Sequence, residues 1–193
     1  NSSNMLFSYN WLKEYLPNLP SPEKLAEILT KKAFEVGKLE KKGRDYIFEI
    51  DILPNRAPDC SGYLGLSREI ASLLGKKIKE PEIKFGETDE DIKSHLELKI
   101  KTKNNLNAYY LRMAKNVKVS PSPLWLKNKL ALHGINSINN VVDAANLTML
   151  EIGQPIHIFD YDKIHPPKFS TKILAGKKII IVGGAKEKEK FVS

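Results

Sequence analysis

The sequence contains one cysteine, Cys60, among its 193 residues. A single thiol cannot form an intrachain disulfide, and a cysteine-based zinc site needs ligands that the chain lacks. No apolar run approaches the roughly 18 residues of a membrane span, and the segment after Met5 has neither the basic start nor the apolar core of a signal peptide. These absences favour a reducing, cytoplasmic setting with no membrane partner.

Acidic residues are also in short supply relative to basic ones. The chain has 31 Lys and Arg against 23 Asp and Glu, which gives a net charge of +8. This excess suits a polyanionic partner such as nucleic acid, but it also suits mere solubility. A basic stretch, which either follows an RNA backbone or forms a solvated face, comprises Lys31, Lys32, Lys38, Lys41, Lys42 and Arg44.

Local patterns predict an α+β fold made of two small mixed α/β domains. Residues 5–80 form the first domain, with predicted helices over 8–16, from Ser21 onward and over 64–74, and a half-buried strand over 46–52. The polar, partly acidic segment 81–94 is predicted to be a linker. Residues 95–193 form the second domain, with predicted strands over 96–100, 108–117 and 178–182.

The residues at the two ends of the chain suggest how this sequence relates to a longer protein. Residues 1–4 precede Met5 and look like a remnant added for expression. The other end, at Ser193, follows a strand-like run with no closing turn, which suggests that the chain was cut from something longer.

The most informative stretch runs from Asn139 to Asp160, because amides, carboxylates and a histidine surround one predicted turn. Apolar residues at helical spacing predict a helix that Gly153 and Pro155 end. Residues 156–159 then read as a short strand. The histidine of this stretch is His157.

Structural roles account for several of the polar residues. Asn139 and Asn140 are best explained as bonding backbone groups at the helix start. Asp143 and Glu151, eight residues apart on one helix, are better interpreted as structural or solvated than as a paired acid and base. A lone histidine among aliphatic residues, such as His157, is more often structural than catalytic.

Most candidate site residues outside this stretch are also better explained by structural roles. Arg56 and Asp59 bracket a turn and are expected to pair with each other or with nearby backbone. Trp11 and Trp125 are expected to be core or subunit-interface anchors, while Tyr109 and Tyr110 offer an alternative stacking face for a base. No metal site is indicated, because the spacing of His95, His133 and His165 is not that of metal ligands, and residues 182–185 are too short for a phosphate loop.

Three motifs together identify a family resemblance. The first is Phe-Ser-Tyr-Asn-Trp-Leu-Lys-Glu-Tyr at 7–15. The second is Pro-Asn-Arg at 54–56, with Asp-Cys at 59–60 and Leu-Gly-Leu-Ser-Arg-Glu-Ile-Ala at 64–71. The third is Asn-Asn-Val-Val-Asp at 139–143, with Asn146 and Glu-x-Gly-Gln-Pro-x-His-x-Phe-Asp at 151–160. In this order they resemble the beta subunit of bacterial phenylalanyl-tRNA synthetase. The resemblance implies an N-terminal domain followed by the first part of the editing domain.

The chain departs from this family pattern in three places. The tRNA-binding insert usual in bacterial relatives is absent, since only residues 37–44 stand where it would be. Ala145 replaces the usual threonine, which removes one hydroxyl from the implied pocket. Ala57 looks like an extra residue in the Asn-Arg-Asp turn.

The resemblance implies a function in charging tRNA(Phe) with phenylalanine. In the family, two alpha and two beta chains form a heterotetramer whose alpha subunit holds the ATP and phenylalanine site. The whole enzyme uses ATP and magnesium, whereas no cofactor is expected in these residues, and this chain alone is not expected to aminoacylate. Its expected roles are assembly and post-transfer editing, the hydrolysis of tyrosyl-tRNA(Phe), with Asn146 and His157 mapping onto the editing pocket.

Two alternatives remain at this point. One is a non-catalytic RNA-binding or assembly module, which the loss of a hydroxyl at Ala145 favours. The other is a freestanding deacylase of mischarged tRNA, which requires Ser193 to lie near the true end of the protein.

Overall fold

A computed structural model describes residues 3–101, 106–164 and 177–183. The predictions on residues 1–2, His165 and the region from Gly184 to Ser193 lie outside the described residues. Packing divides the chain into two compact units, residues 1–84 with 119–158 and residues 85–118 with 159–193. Each unit is therefore discontinuous in sequence, whereas the predicted linker at 81–94 would separate two continuous domains. The difference arises because two later helices pack on the first part of the chain. In the part of the chain that the structure describes, no helix is long and apolar enough to cross a membrane.

The sheet of the first unit has three antiparallel strands in the order β1-β3-β2. The strands are β1 (Ser3–Ser8), β2 (Val36–Lys42) and β3 (Asp45–Ile52). The sequence predicts β3 but misses the two strands beside it. Strand β1 includes residues assigned to the expression remnant: Asn4 pairs with Asp51 and donates a 2.7 Å hydrogen bond from Nδ2 to Glu49 Oε1.

The predicted helices of residues 5–80 are confirmed. They are α1 (Tyr9–Tyr15), α2 (Pro22–Lys32) and α4 (Tyr63–Leu74), and a short helix α3 (Ala57–Cys60) precedes α4. Ser8 Oγ accepts from Trp11 N at 3.0 Å and Ser21 Oγ accepts from Lys24 N at 3.3 Å, so both helix starts are capped by hydroxyls. Gly75, at φ 62°, ends α4 in the left-handed conformation.

The core of the first unit lies between its sheet and these helices. Its largest fully buried side chains are Phe7, Trp11, Leu12, Leu16, Leu25, Leu29, Phe48, Ile50, Ile52, Tyr63, Leu66 and Ile70. Complete burial of a side chain of this size contributes about 1.5–3 kcal/mol relative to exposure. The predicted core placement of Trp11 is therefore confirmed.

Two further helices complete the first unit. They are α5 (Leu124–Leu132) and α6 (Asn140–Ile152), and Gly153, at φ 74°, ends α6 as its position in the sequence predicts. The predicted strand over 156–159 is wrong, since residues 154–160 have no regular secondary structure. Its alternating isoleucines are about half exposed and have no neighbouring strand with which to pair within the described residues.

The second unit contains a parallel pair of strands, β4 (Leu96–Ile100) and β5 (Lys178–Val182). Both strands were predicted and are confirmed. The strand predicted over 108–117 is wrong, because these residues are irregular, and Tyr110 is 91% exposed. Short 3-10 helices span Ile92–Ser94 and Tyr161–Lys163. The chain as a whole has an α+β fold.

Candidate functional site

The two asparagines that open the 139–160 stretch fix the start of α6. Asn139 Oδ1 accepts from the backbone N–H groups of Val141 and Val142, each at 3.0 Å. Asn140 Oδ1 accepts from Ser120 N at 2.9 Å, and Asn140 N donates to Ser120 O at 2.9 Å. The interpretation of both residues as partners of backbone groups is confirmed.

Asp143 is the buried polar centre of the same region. Its Oδ2 accepts from the hydroxyls of Ser122 and Ser137 at 2.5 Å each, and its Oδ1 accepts from Ile138 N at 2.9 Å. Burial raises the pKa of Asp143, but these three hydrogen bonds, with the charge of Lys127, outweigh it and hold the pKa below its ordinary value. The carboxylate is therefore ionised, and it ties two chain segments to α6.

The other end of α6 is fixed by a close contact between two backbones. A Cβ atom on Gly62 would lie 2.4 Å from the backbone N of Gly153 and 2.7 Å from the carbonyl carbon of Ile152. Only glycine allows the start of α4 to come this near to the end of α6. One residue from this contact, Glu151 Oε1 accepts from the hydroxyl of Tyr15 at 3.0 Å, so Glu151 is structural as well.

The two residues mapped onto the editing pocket lie on and just beyond this fixed helix. Asn146 is half-buried in the middle of α6, one residue after the half-buried Ala145. His157 is exposed in the irregular segment that leaves Gly153. A roughly 460 Å³ cavity in this unit is lined by neither residue; its walls are Pro58, Asp59, Leu64, Gly65, Arg68, Glu69 and Ile152. The roles of Asn146 and His157 stay predictions.

Arg56 forms ion pairs with the two acidic side chains that line that cavity. Its Nη2 lies 2.8 Å from Asp59 Oδ2 and 2.8 Å from Glu69 Oε2, and its guanidinium stands 5.1 Å from the centroid of the Phe34 ring. The hydrogen bond from Arg56 lowers the pKa of Asp59. The predicted pairing of Arg56 with Asp59 is confirmed, and both groups hold the turn in place.

Aromatic residues take two different positions. Trp125, 55% exposed, does not lie in the core, and its interface alternative stays a prediction. Trp11, by contrast, stacks on Tyr63 with ring centroids 3.8 Å apart. His133 lies against both of these rings. The sequence does not predict this cluster, since its members are far apart in the chain.

The second unit carries an ionic cluster at its surface. His95 Nε2 lies 2.5 Å from Glu90 Oε1 and 3.2 Å from Lys115 Nζ, and Lys115 also pairs with Glu90. Hydrogen bonds from Lys115 and His95 lower the pKa of Glu90. Within the described ranges, no three His, Cys, Asp or Glu side chains are placed to hold a metal ion.

The basic stretch lies at the end of α2 and along the β2–β3 hairpin. Two of its lysines are paired with acids: Lys31 lies 2.6 Å from Glu27, and Lys38 lies 2.8 Å from Glu40. Lys41 stands 5.9 Å from the centroid of the Tyr46 ring. These pairings suit a solvated face, and a role in RNA binding stays a prediction.

Comparison with known proteins agrees with the motifs. The model of the B3/4 domain family matches residues 105–193. Phenylalanine-tRNA ligase beta subunits are similar over longer stretches: that of Syntrophus aciditrophicus is 38% identical over 92% of this chain and that of Bacillus cereus 40% identical over 76%. That of Fusobacterium nucleatum is 45% identical over 62% of the chain.

The matched regions are a small part of these relatives, between 15% and 19% of their length. The longest of these three matches, over 92% of the chain, includes the Arg56 turn and the helix that Asn139 opens. The chain therefore belongs to the family of phenylalanine-tRNA ligase beta subunits.

Proposed function

We propose that the chain acts within phenylalanine-tRNA ligase and that its later residues take part in editing, the hydrolysis of tyrosine from tRNA(Phe). A pocket selective for phenylalanine rejects the extra hydroxyl of tyrosine only by about a hundredfold, so a second site that recognises this hydroxyl is needed. ATP and magnesium belong, in this proposal, to the rest of the ligase.

The observation that supports editing best is the fixation of α6 at both ends. Asn139, Asn140 and Asp143 hold its start through hydrogen bonds, and the contact between Gly62 and Gly153 holds its end. A site placed on a rigid element keeps its geometry better than one on loops alone.

In this proposal, Asn146 recognises the substrate and His157 assists its hydrolysis. The amide of Asn146 supplies a hydrogen-bond donor and an acceptor, which suits recognition of the tyrosyl hydroxyl. The exposed imidazole of His157 can orient the attacking water or the terminal ribose, because its ring nitrogens can donate and accept hydrogen bonds. Water is the nucleophile, the bond broken is the ester between tyrosine and the tRNA 3′ end, and the ribose oxygen leaves with a proton.

The test is hydrolysis of tyrosyl-tRNA(Phe) by this chain and by a family-length beta subunit assembled with its alpha subunit. We expect His157→Ala and Asn146→Ala each to slow the reaction at least tenfold, about 1.4 kcal/mol of transition-state stabilisation. His95→Ala, at a half-buried residue of the second unit, and Asn128→Ala, at an exposed residue of α5, serve as matched controls. Unchanged rates in both site variants would count against the assignment.

A specific observation favours assembly as a second function. Four large apolar side chains are 55–72% exposed on segments that Asn140 and Asp143 tie to α6; they are Val119, Leu124, Trp125 and Ile138. Contiguous exposed apolar side chains commonly mark an interaction surface, and Leu124 and Trp125 are consecutive residues at the start of α5. We expect Trp125→Glu to weaken association with the alpha subunit, whereas Tyr110→Glu, at another exposed aromatic residue, should leave it unchanged.

Measurements of tRNA binding, ester cleavage and charging distinguish the alternative functions. An RNA-binding or assembly module without catalysis binds tRNA in a salt-dependent way but leaves the ester intact. A freestanding deacylase cleaves the ester as the 193-residue chain alone. Charging of tRNA with phenylalanine is expected only from the complete ligase.

A further inference from the structure

His133 closes a contact between the early and late parts of the first unit. It follows α5 directly, and its Nε2 lies 3.0 Å from the hydroxyl oxygen of Tyr63 on α4. The ring also makes edge contacts with Trp11 on α1 and with Tyr63, at centroid distances of 5.8 and 5.6 Å. One imidazole thus joins α5 to two earlier helices.

The hydrogen bonds around Tyr63 determine the state of this ring. The Tyr63 oxygen accepts from Ser8 N at 2.7 Å, so its own proton is available to His133. Burial raises the pKa of Tyr63, so the phenol remains protonated and donates. His133 Nε2 must then accept, which requires a neutral imidazole that carries its proton on Nδ1.

Burial, rather than a neighbouring charge, disfavours a second proton on the ring. On α5, Lys129 Nζ lies 4.3 Å from the Trp11 ring centroid and 2.7 Å from Glu14 Oε2 on α1, so these two charges offset each other. Further ionisable groups near Tyr63 are Tyr15 on α1 and Asp45 on β3, and the Tyr15 hydroxyl donates to Glu151 on α6. Burial lowers the pKa of His133 to about 4.

We propose that the contact between His133 and Tyr63 is an acid-sensitive latch, which docks α5 on α1 and α4 while the imidazole is neutral and opens when it is protonated. A proton on Nε2 removes the acceptor for the Tyr63 hydroxyl and places a positive charge beside the rings of Trp11 and Tyr63 in a site that is largely shielded from water. The latch consists of contacts within the first unit and does not depend on the proposed function.

The sign of the pH dependence follows from the two states of the ring. An undocked imidazole has a pKa near 6.5, and the docked one has a lower pKa, so protons bind the undocked state preferentially as the pH falls below about 6.5. With allowance for solvent screening of the half-buried ring, we expect the undocked population to rise about tenfold between pH 7.5 and 5.

Amide hydrogen exchange on the full chain at pH 7.5 and 5, corrected for intrinsic rates, measures this population. Protection should fall about tenfold in α5 and stay constant in the interior of α4 from Leu66 to Ile70. His133→Gln keeps an acceptor without a titrating ring, so its α5 protection should not depend on pH; the matched control His95→Gln should behave as the parent chain does. Equal protection of α5 at both pH values in the parent chain would overturn the proposal.

A direct NMR titration covers the case in which the His133 variant does not fold. In the parent chain, the latch requires a His133 ring that is protonated on Nδ1 at pH 7 and titrates well below 6.5. A ring that titrates at or above 6.5, or one protonated on Nε2 at pH 7, overturns the proposal. Neither result bears on ester hydrolysis, so failure of the latch is distinguishable from failure of the proposed function.

Discussion

Replacement of Asp143 by asparagine tests the structural account of α6 most severely. The fully buried carboxylate accepts hydrogen bonds from Ser122, Ser137 and Ile138. In Asp143→Asn the amide oxygen can keep the Ile138 bond, whereas the NH₂ group cannot accept from the two serine hydroxyls. The change therefore removes two charge-assisted hydrogen bonds while the side-chain volume stays the same.

The expected magnitude follows from these two bonds. A hydrogen bond to a charged group contributes about 1.5–3 kcal/mol, and rotation of the serine hydroxyls to accept from the new amide recovers part of it. We expect the free energy of unfolding to fall by about 2–4 kcal/mol, as measured by urea denaturation at pH 7. Asp89→Asn, an exposed matched control, should change it by less than about 0.5 kcal/mol.

The same carboxylate predicts a pH dependence. Its pKa is lower in the folded than in the unfolded chain, so the stabilisation is complete above the unfolded value of about 3.9 and is lost as the pH falls through the folded value. In Asp143→Asn this acid-dependent loss should be absent. A decrease in unfolding free energy below about 1 kcal/mol at pH 7, or an unchanged acid dependence, would refute the role of Asp143 as anchor.

Two other predictions concern backbone geometry. Gly62→Ala should lower the free energy of unfolding by about 3 kcal/mol or more, because the new Cβ would lie 2.4 Å from Gly153 N, whereas Gly86→Ala, with open space around it, should be close to neutral in the same urea denaturation. Ser8→Ala should cost about 1–2 kcal/mol in thermal or urea unfolding, since the hydroxyl caps α1 at Trp11 N; an unchanged midpoint would show that the cap contributes nothing.

The helices could be predicted because their signals are local. Hydroxyl caps at Ser8 and Ser21, the amide cap at Asn139 and left-handed glycines at Gly75 and Gly153 each act within a few residues of the chain. The pairing of Arg56 with Asp59 is local in the same sense. The predicted helix start at Ser21, the backbone partners of Asn139, the helix end at Gly153 and the pairing of Arg56 with Asp59 are confirmed.

Strands and long-range contacts could not be predicted in the same way. The pairing of β1 with β3 joins residues more than 35 positions apart, and an alternating pattern is stable as a strand only where a partner strand supplies hydrogen bonds. The segments 108–117 and 156–159 have the pattern without a partner among the described residues. The contact between Tyr63 and His133 spans 70 positions, and nothing in its immediate sequence announces it.

The candidate site was found by resemblance rather than by physical pattern. Asn146 occupies a helix position like many structural amides, and His157 lies among exposed aliphatic residues. What distinguishes them is their place within a long motif whose other members, Asn139, Asn140 and Asp143, have structural roles. Physical chemistry therefore explains the structural residues of the motif. The catalytic roles of Asn146 and His157 can be tested only by an assay on an aminoacylated tRNA.

The most direct test of editing compares hydrolysis of tyrosyl-tRNA(Phe) with that of phenylalanyl-tRNA(Phe) by the assembled, family-length ligase, with and without His157→Ala. The proposal predicts faster cleavage of the tyrosyl ester and a loss of at least tenfold in the variant, with charging by the alpha subunit unchanged. Equal cleavage of both esters, or a variant as active as the parent enzyme, would contradict it.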